Sequence, residues 1–90
     1  MSIKINIPWH LRSSTNSMAV VEVNGSTVGE CLSHLVKQFP GVEKTLFDEN
    51  GKLHFYIDLY VNNASAYPEE LAKPVKDGDE LRILYIIGGG

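Results

Sequence analysis

One amphipathic helix is predicted by TVGECLSHLVKQFPG, residues 27–41. Thr27 and Glu30 have the spacing of a capping box, in which each side chain accepts a hydrogen bond from the backbone amide of the other residue. Pro40 and Gly41 end the helix. Between them the apolar residues recur at helical spacing, so they share one face that can cover a sheet. These residues are Val28, Cys31, Leu32, Leu35, Val36 and Phe39.

A hairpin is predicted before the helix. Ile3, Ile5 and Ile7 alternate with polar residues, which is the period of a half-buried strand. Pro8 stops this strand because proline cannot donate to a ladder. The polar residues 12–17 predict a turn, and residues 18–23 predict the returning strand.

Two more strands are predicted after the helix. Residues 53–61 carry the strongest alternation in the chain. After an irregular segment over residues 62–74, a tight turn at residues 76–79 leads into a last strand at residues 81–87. This order of elements predicts an α+β domain with one helix on one face of the sheet. In residues 53–61, Leu53, Phe55, Ile57, Leu59 and Val61 face one way, and His54, Tyr56, Asp58 and Tyr60 face the other.

Length, charge and composition exclude several classes of protein. Ninety residues, 43% of them hydrophobic, fit one globular domain. Eight Lys and Arg stand against 11 Asp and Glu with no basic cluster, so nucleic acid is a poor partner. The longest apolar run, residues 83–87, is far shorter than the ~20 residues of a membrane span. Residues 1–6 hold no stretch of signal-peptide length, so we expect a cytoplasmic protein that uses neither membrane nor nucleic acid.

The residue types that often carry chemistry have no arrangement that indicates a catalytic or metal site. Cys31 lies on the apolar face of the helix, so we expect a buried structural thiol. The three histidines lack metal-ligand spacing. The acidic pairs at residues 69–70 and 79–80 are expected to be solvated. We therefore predict no catalytic residue and no metal site in this chain.

The sequence predicts a structural role for two glycines and leaves two alternatives for a tryptophan. Gly25 and Gly78 are expected to serve backbone turns with positive φ. Trp9, directly after Pro8, either caps one end of the core or contacts a partner.

Three glycines, Gly88, Gly89 and Gly90, directly follow the last predicted strand. Ordered glycines lose the most backbone entropy and bury no side chain, so they do nothing for the fold. We predict a single domain over residues 1–87 and a flexible tail over residues 88–90. Without Cβ atoms this tail can thread into a narrow slot, where its only reactive group is the α-carboxylate of Gly90. A frayed end or a residual linker is the alternative interpretation.

A series of short motifs connects these elements: Val23-Asn24-Gly25, residues 27–32, Phe39-Pro40-Gly41-Val42, Tyr60-Val61-Asn62, residues 76–84 and Gly89-Gly90. In order and spacing they resemble the sulfur carriers of the β-grasp, ubiquitin-like family, over nearly the whole chain. The resemblance implies a β-grasp fold, a mixed sheet with one main helix packed on one face. The carriers of cysteine biosynthesis are most similar, through Ile5-Asn6-Ile7-Pro8, Leu11-Arg12, Gly51-Lys52-Leu53-His54 and Tyr60-Val61-Asn62.

The resemblance also implies a chemistry for the tail. An E1-like enzyme uses ATP to adenylate Gly90, and a sulfur donor then converts that end into a thiocarboxylate. Gly88 and Gly89 give backbone access to the partner's pocket. The chain itself is then a carrier without catalysis or bound cofactor, and the acceptor is a sulfur-accepting synthase. Candidate acceptors are a cysteine synthase and the large subunit of molybdopterin synthase. Where the family commonly has a proline and an alanine before the end, this sequence has Tyr85 and Gly88.

Docking is expected to use the sheet face that the helix leaves free. If Leu81 and Ile83 point inward, Arg82 and Leu84 point outward. Apolar groups on that face beside the tail would form an interface patch. The expected docking residues are Arg82, Leu84, Ile86, Tyr56 and Tyr60. Alternatively, the two tyrosines only pack on the segment over residues 62–74.

Other functions stay open at this point. The same tail chemistry would suit the small subunit of molybdopterin synthase, or a ubiquitin-like modifier that is conjugated to lysines. A β-grasp interaction module with an idle tail is a further alternative.

Overall fold

The computed structural model describes residues 2–86, so Ile87 and the glycine tail lie outside the described residues. Seven helices and strands are named here in chain order: β1 Ser2–Asn6, β2 Val20–Asn24, α1 Val28–Gln38, α2 Glu43–Leu46, β3 Ile57–Val61, β4 Ala64–Ser65 and β5 Glu80–Tyr85. Short 3₁₀ turns at Trp9–Ser14, Pro40–Val42 and Glu70–Ala72 connect them.

The five strands form one mixed sheet in the order β2-β1-β5-β3-β4. β1 and β5 are parallel neighbours, and the other pairs are antiparallel. The alternating residues of β1, β3 and β5 pack with the apolar face of α1 into one core. This arrangement confirms the predicted β-grasp fold, an α+β mixed sheet with one main helix on one face.

The start of α1 is capped at Thr27, but the box closes differently from the prediction. The Thr27 hydroxyl accepts a hydrogen bond from the Glu30 amide at 3.2 Å, as expected. The Glu30 carboxylate instead accepts bonds from the Ser26 amide and the Ser26 hydroxyl, each at 2.7 Å. These bonds lower the pKa of Glu30. The carboxylate therefore ties the loop before the helix to its first turn.

The prediction of a strand over residues 53–61 is wrong in its first half. β3 begins only at Ile57, because the Ile57 amide donates to the His54 carbonyl and closes a turn there. Leu53 makes an isolated bridge with Phe47. Phe55, predicted on the inward side, is 85% exposed. From Ile57 onward the predicted alternation is confirmed, since Ile57, Leu59 and Val61 are buried.

The hairpin is confirmed with a later return than predicted. β2 starts at Val20, two residues after the predicted start, and it pairs antiparallel with β1. The loop contains a 3₁₀ turn and the buried Thr15, whose hydroxyl donates to the Met18 carbonyl at 3.0 Å. That bond anchors the loop, so residues 12–17 are more than a simple polar turn.

Two of the structural expectations at turns are wrong and one is confirmed. Gly78 has φ +88° as predicted. Gly25 does not have a positive φ; glycine is needed there because a Cβ would lie 2.9 Å from both the amide nitrogen and the Sγ of Cys31. Asp79 was expected to be solvated but is buried. Its carboxylate accepts bonds from the Lys76 amide and the Asn62 side chain, which lower its pKa.

Candidate functional site

The candidate site is the end of the sheet from which residues 87–90 continue. We call it the exit end and define it by the C-terminal ends of β1 and β5 and the N-terminal ends of β2 and β3. In the register, Asn6 of β1 lies opposite Val20 of β2, and Tyr85 of β5 lies opposite Ile57 of β3. The last described bond joins the Ile86 amide to the Tyr56 carbonyl at 2.9 Å. The three predicted site glycines, Gly88, Gly89 and Gly90, lie outside the described residues.

Aromatic rings pack against one another in a row at the exit end. The ring of Tyr85 stacks on His10 at 5.2 Å between centroids and lies 6.1 Å from the ring of Tyr56. Tyr56 in turn stacks on His54 at 4.8 Å. Burial of the Tyr85 ring, and secondarily the neighbouring Tyr56 phenol, raises the pKa of Tyr85. Tyr85 is thus a half-buried residue whose ring packs against the core at the end of β5.

The predicted orientation of the last strand is confirmed. Leu81 and Ile83 are buried in the core, and Arg82 and Leu84 point to the opposite, solvent-facing side. Ile86, just beyond the strand, is 58% exposed. The outer face of β5 is therefore charged at Arg82 and becomes apolar only at its end, with Leu84 and then Ile86.

The two predicted docking tyrosines do not lie together on the outer face. Tyr60 is half-buried in β3, with Arg82 opposite it in β5 and Ser65 opposite it in β4. Tyr56 precedes β3, and its ring packs among His54, Phe55 and Tyr85. The prediction that Tyr56 and Tyr60 share the outer face of one strand is therefore wrong. It assumed a strand over residues 53–61, but Tyr56 lies in the turn before Ile57. Their docking role stays a prediction.

Sequence reasoning missed Phe55 and left Trp9 open. Trp9 is 73% exposed on the 3₁₀ turn after β1, so it does not cap the core. Its ring lies 6.2 Å from that of His10. A tryptophan directly after a strand-ending proline was a usable signal for an exposed ring. Phe55 gave no such signal, because its sequence neighbours alternate as a strand does.

The thiol of Cys31 belongs to the hydrophobic core. Cys31 is fully buried, and this burial raises the pKa of its thiol. Within residues 2–86 no group of three or more His, Cys, Asp and Glu residues could hold a metal ion. Likewise, no helix in that range has the length and apolar character to cross a membrane.

A surface depression lies between α1 and the segment over residues 43–54. It is open to solvent, and it is lined by side chains of both charges, among them Glu30, Lys37, Glu43 and Lys44. None of the predicted docking residues lines it. The depression therefore adds no group to the exit end.

The β-grasp fold, with three glycines after the last strand in the sequence, is typical of the class of ubiquitin-like carriers. Residues 5–90 match the ThiS family. The chain therefore belongs to the ThiS family of ubiquitin-like sulfur carriers.

Relatives with full-length similarity carry the name of sulfur carriers. The sulfur carrier protein CysO of Mycobacterium tuberculosis strain H37Rv is 33% identical over 93 residues, which span 100% of both chains. The small archaeal modifier protein 1 of Haloferax volcanii is 34% identical over 71 residues, or 78% of each chain. Both a named carrier and a named modifier are thus related to this chain.

Solved structures agree with the fold. A chain of the crystal structure of the Amycolatopsis orientalis BexX/CysO complex is 36% identical, with a TM-score of 0.89 over 98% of this chain and 99% of that one. A molybdopterin converting factor subunit of Pyrococcus furiosus, described as putative, is 15% identical with a TM-score of 0.70 over 94% of this chain and 97% of that one, a likeness of fold alone.

Proposed function

We propose that this chain is a sulfur carrier whose Gly90 carboxylate is adenylated and then converted into a thiocarboxylate that donates sulfur in biosynthesis. The observation that supports this proposal best is the full-length similarity to CysO sulfur carriers, which extends over the glycine tail. The proposed setting is the cytoplasm, where ATP serves the activating partner and the chain binds no cofactor of its own.

The proposed reaction balances in two displacements. A Gly90 carboxylate oxygen attacks the α-phosphorus of ATP, and pyrophosphate leaves, so that an acyl adenylate forms. A sulfide-equivalent nucleophile then attacks the acyl carbon, and AMP leaves with the electron pair of the broken carbon–oxygen bond. The product is a thiocarboxylate. In the partner's site its soft sulfur attacks an electrophilic carbon.

The residues of the described domain would serve as a handle in this reaction. Leu84 and Ile86 present an apolar strip that ends four residues before Gly90. Tyr85, whose ring packs on His10 and the core, would hold the end of β5 in place. Gly88 and Gly89 have no Cβ, so their backbone would fit a narrow channel. The catalytic groups would all come from the partner enzyme.

Pyrophosphate exchange tests the activation step. The intact chain, incubated with labelled pyrophosphate, ATP and the E1-like enzyme of the same organism, should support exchange of label into ATP. A variant that lacks Gly89 and Gly90 should support none, because the reacting carboxylate is withdrawn from the enzyme's pocket. Equal exchange with both proteins would contradict the proposal.

Cysteine biosynthesis is the proposed destination of the sulfur, because the full-length relatives carry the CysO name. The thiocarboxylate form should be consumed by a cysteine synthase that uses O-phosphoserine, with displacement of phosphate and formation of a cysteinyl adduct at Gly90. Consumption only by a molybdopterin synthase large subunit would reassign the pathway and leave the carrier function intact.

A second candidate function is conjugation to the lysines of other proteins. The relationship to small archaeal modifier protein 1 of Haloferax volcanii favours it. Isopeptide adducts of this chain would survive reducing denaturation and appear as heavier bands on an immunoblot, whereas the thiocarboxylate form would run with the unconjugated chain. Abundant adducts that disappear on deletion of Gly89 and Gly90 would support the modifier function.

A further inference from the structure

The exposed apolar side chains of the domain are concentrated at the exit end. Seven large apolar side chains are exposed among residues 2–86, and all but Tyr67 belong to the exit end or border it. They come from four separate segments that the sheet register brings together. The six are Trp9, Met18, Val20, Phe55, Leu84 and Ile86.

The two aromatic side chains among these six, Trp9 and Phe55, lie on opposite sides of the end of β5. Trp9 and His10 follow β1, and the His10 ring stacks on Tyr85. Phe55 lies on the β3 side, next to Tyr56, whose carbonyl accepts the Ile86 amide. The chain therefore leaves the sheet between Trp9, 73% exposed, and Phe55, 85% exposed. Exposed apolar side chains that are grouped in this way indicate an interaction surface.

The short distance to Gly90 limits where a partner can sit. Four residues separate Ile86 from the end of Gly90, and at ~3.5 Å per residue they span at most about 14 Å. An enzyme that encloses the Gly90 carboxylate must therefore approach the side chains around Ile86. The outer face near Arg82 lies four residues further back along β5 and need not be covered.

We infer that Trp9 and Phe55 form a two-sided clamp surface for the E1-like adenylating enzyme, and that the mouth of that enzyme's tail channel has an apolar rim that packs on both rings. This inference rests on the proposed function. It places the main docking contact at the exit end instead of on the flat outer face with Tyr60 and Arg82. Large aromatic side chains at the centre of an interface commonly carry most of its binding energy.

Steady-state kinetics of adenylation tests the inference. Pyrophosphate exchange is measured at increasing concentrations of the chain with the E1-like enzyme of the same organism. Trp9→Ala and Phe55→Ala should each raise KM for the chain by about tenfold, with kcat within about twofold of the wild type, because the reacting end is unchanged. Tyr60→Ala and Arg82→Ala should change KM by less than about threefold.

Controls separate docking from folding. Lys76→Ala, an exposed side chain at the opposite end of the sheet, should leave KM unchanged. The thermal unfolding midpoints of the Trp9 and Phe55 variants should stay near that of the wild type, because both rings are mostly exposed. Unfolded variants would be replaced by Trp9→Gln and Phe55→Gln, which keep more of the side chain than alanine does and remove the ring.

Three results would overturn the inference, each distinct from failure of the proposed function. Unchanged KM for both aromatic variants would show that the rings do not contact the enzyme. Larger effects at Tyr60 and Arg82 would move the contact to the flat face. Normal adenylation with slowed sulfur delivery would assign the rings to the sulfur-accepting synthase. The absence of exchange with the wild type would instead count against the proposed function itself.

Discussion

At Gly25 the structure requires glycine, but for a different reason from the one that the sequence predicted. The Asn-Gly pair after β2 suggested a turn with positive φ, yet the requirement comes from α1, whose Cys31 lies 2.9 Å from any Cβ at this position. Such a close approach depends on how the helix docks on the strand. No local pattern in the sequence contains that information.

Gly25→Ala should therefore destabilise the domain by ~1–3 kcal/mol, since the backbone amide of Cys31 would have to move. Gly41→Ala is the matched control, because its Cβ would meet only Ser14 atoms at an ordinary 3.6 Å. Urea denaturation of both variants measures the difference. Equal stabilities would mean that the segment around Gly25 adjusts without cost.

Asp79 makes the stability of the domain depend on pH in the acid range. Hydrogen bonds from the Lys76 amide and then from Asn62 hold its pKa below the ordinary value. The unfolded chain therefore binds the proton first, so the stabilisation is complete above the ordinary carboxyl pKa of about 4 and is lost as pH falls through the folded value. Denaturation curves should show stability declining with acid below about pH 4. A shallower decline is expected for Asp79→Asn; an identical slope would contradict this assignment.

At the scale of the elements, local signals were enough for α1 and too weak for β3. The cap at Thr27 and the apolar period from Val28 to Leu35 are short-range features, and both appear in the structure. Residues 53–56 alternate like a strand but form a turn, because the Leu46 carbonyl accepts the His54 amide and Leu53 pairs with Phe47. Those contacts join residues six to eight positions apart, which the alternation of neighbouring residues does not reveal.

The same distinction applies to the candidate site. The outward direction of Arg82 and Leu84 followed from the strand period alone. The exposure of Phe55 depends on where β3 begins, and the position of Trp9 at the same end of the sheet as Tyr85 depends on the parallel pairing of β1 with β5. Sequence reasoning therefore predicted the orientation of the last strand but not the exposed aromatic side chains at the exit end, and the role of the tail stays a prediction.

The helix and the central sheet share one core, which can be tested from either side. Leu35 is fully buried on α1 and Ile57 nearly so on β3, so Leu35→Ala and Ile57→Ala should each cost roughly 2–5 kcal/mol of unfolding free energy. Ser33→Ala, on the exposed side of α1, should change stability little. Chemical denaturation compares the three variants, and wild-type stability in both core variants would refute the shared core.

At the scale of the whole molecule, stability and function are expected to reside in different parts of the chain. The core is built mainly from residues of β1, β2, β3, β5 and α1, while the proposed chemistry belongs to residues 88–90. Deletion of Gly89 and Gly90 should therefore leave the thermal midpoint within a few degrees of the wild type, although it removes activation by the E1-like enzyme. A clearly lower midpoint would show that the tail contributes to the fold.

Mass spectrometry of the chain after sulfur loading tests the central claim most directly. The chain is incubated with ATP, a sulfide source and the E1-like enzyme of the same organism, and its C-terminal peptide is then fragmented. The expected result is a mass gain equal to the exchange of one oxygen for one sulfur at Gly90, which requires ATP. An unchanged mass with each E1-like enzyme of that organism would contradict the carrier function.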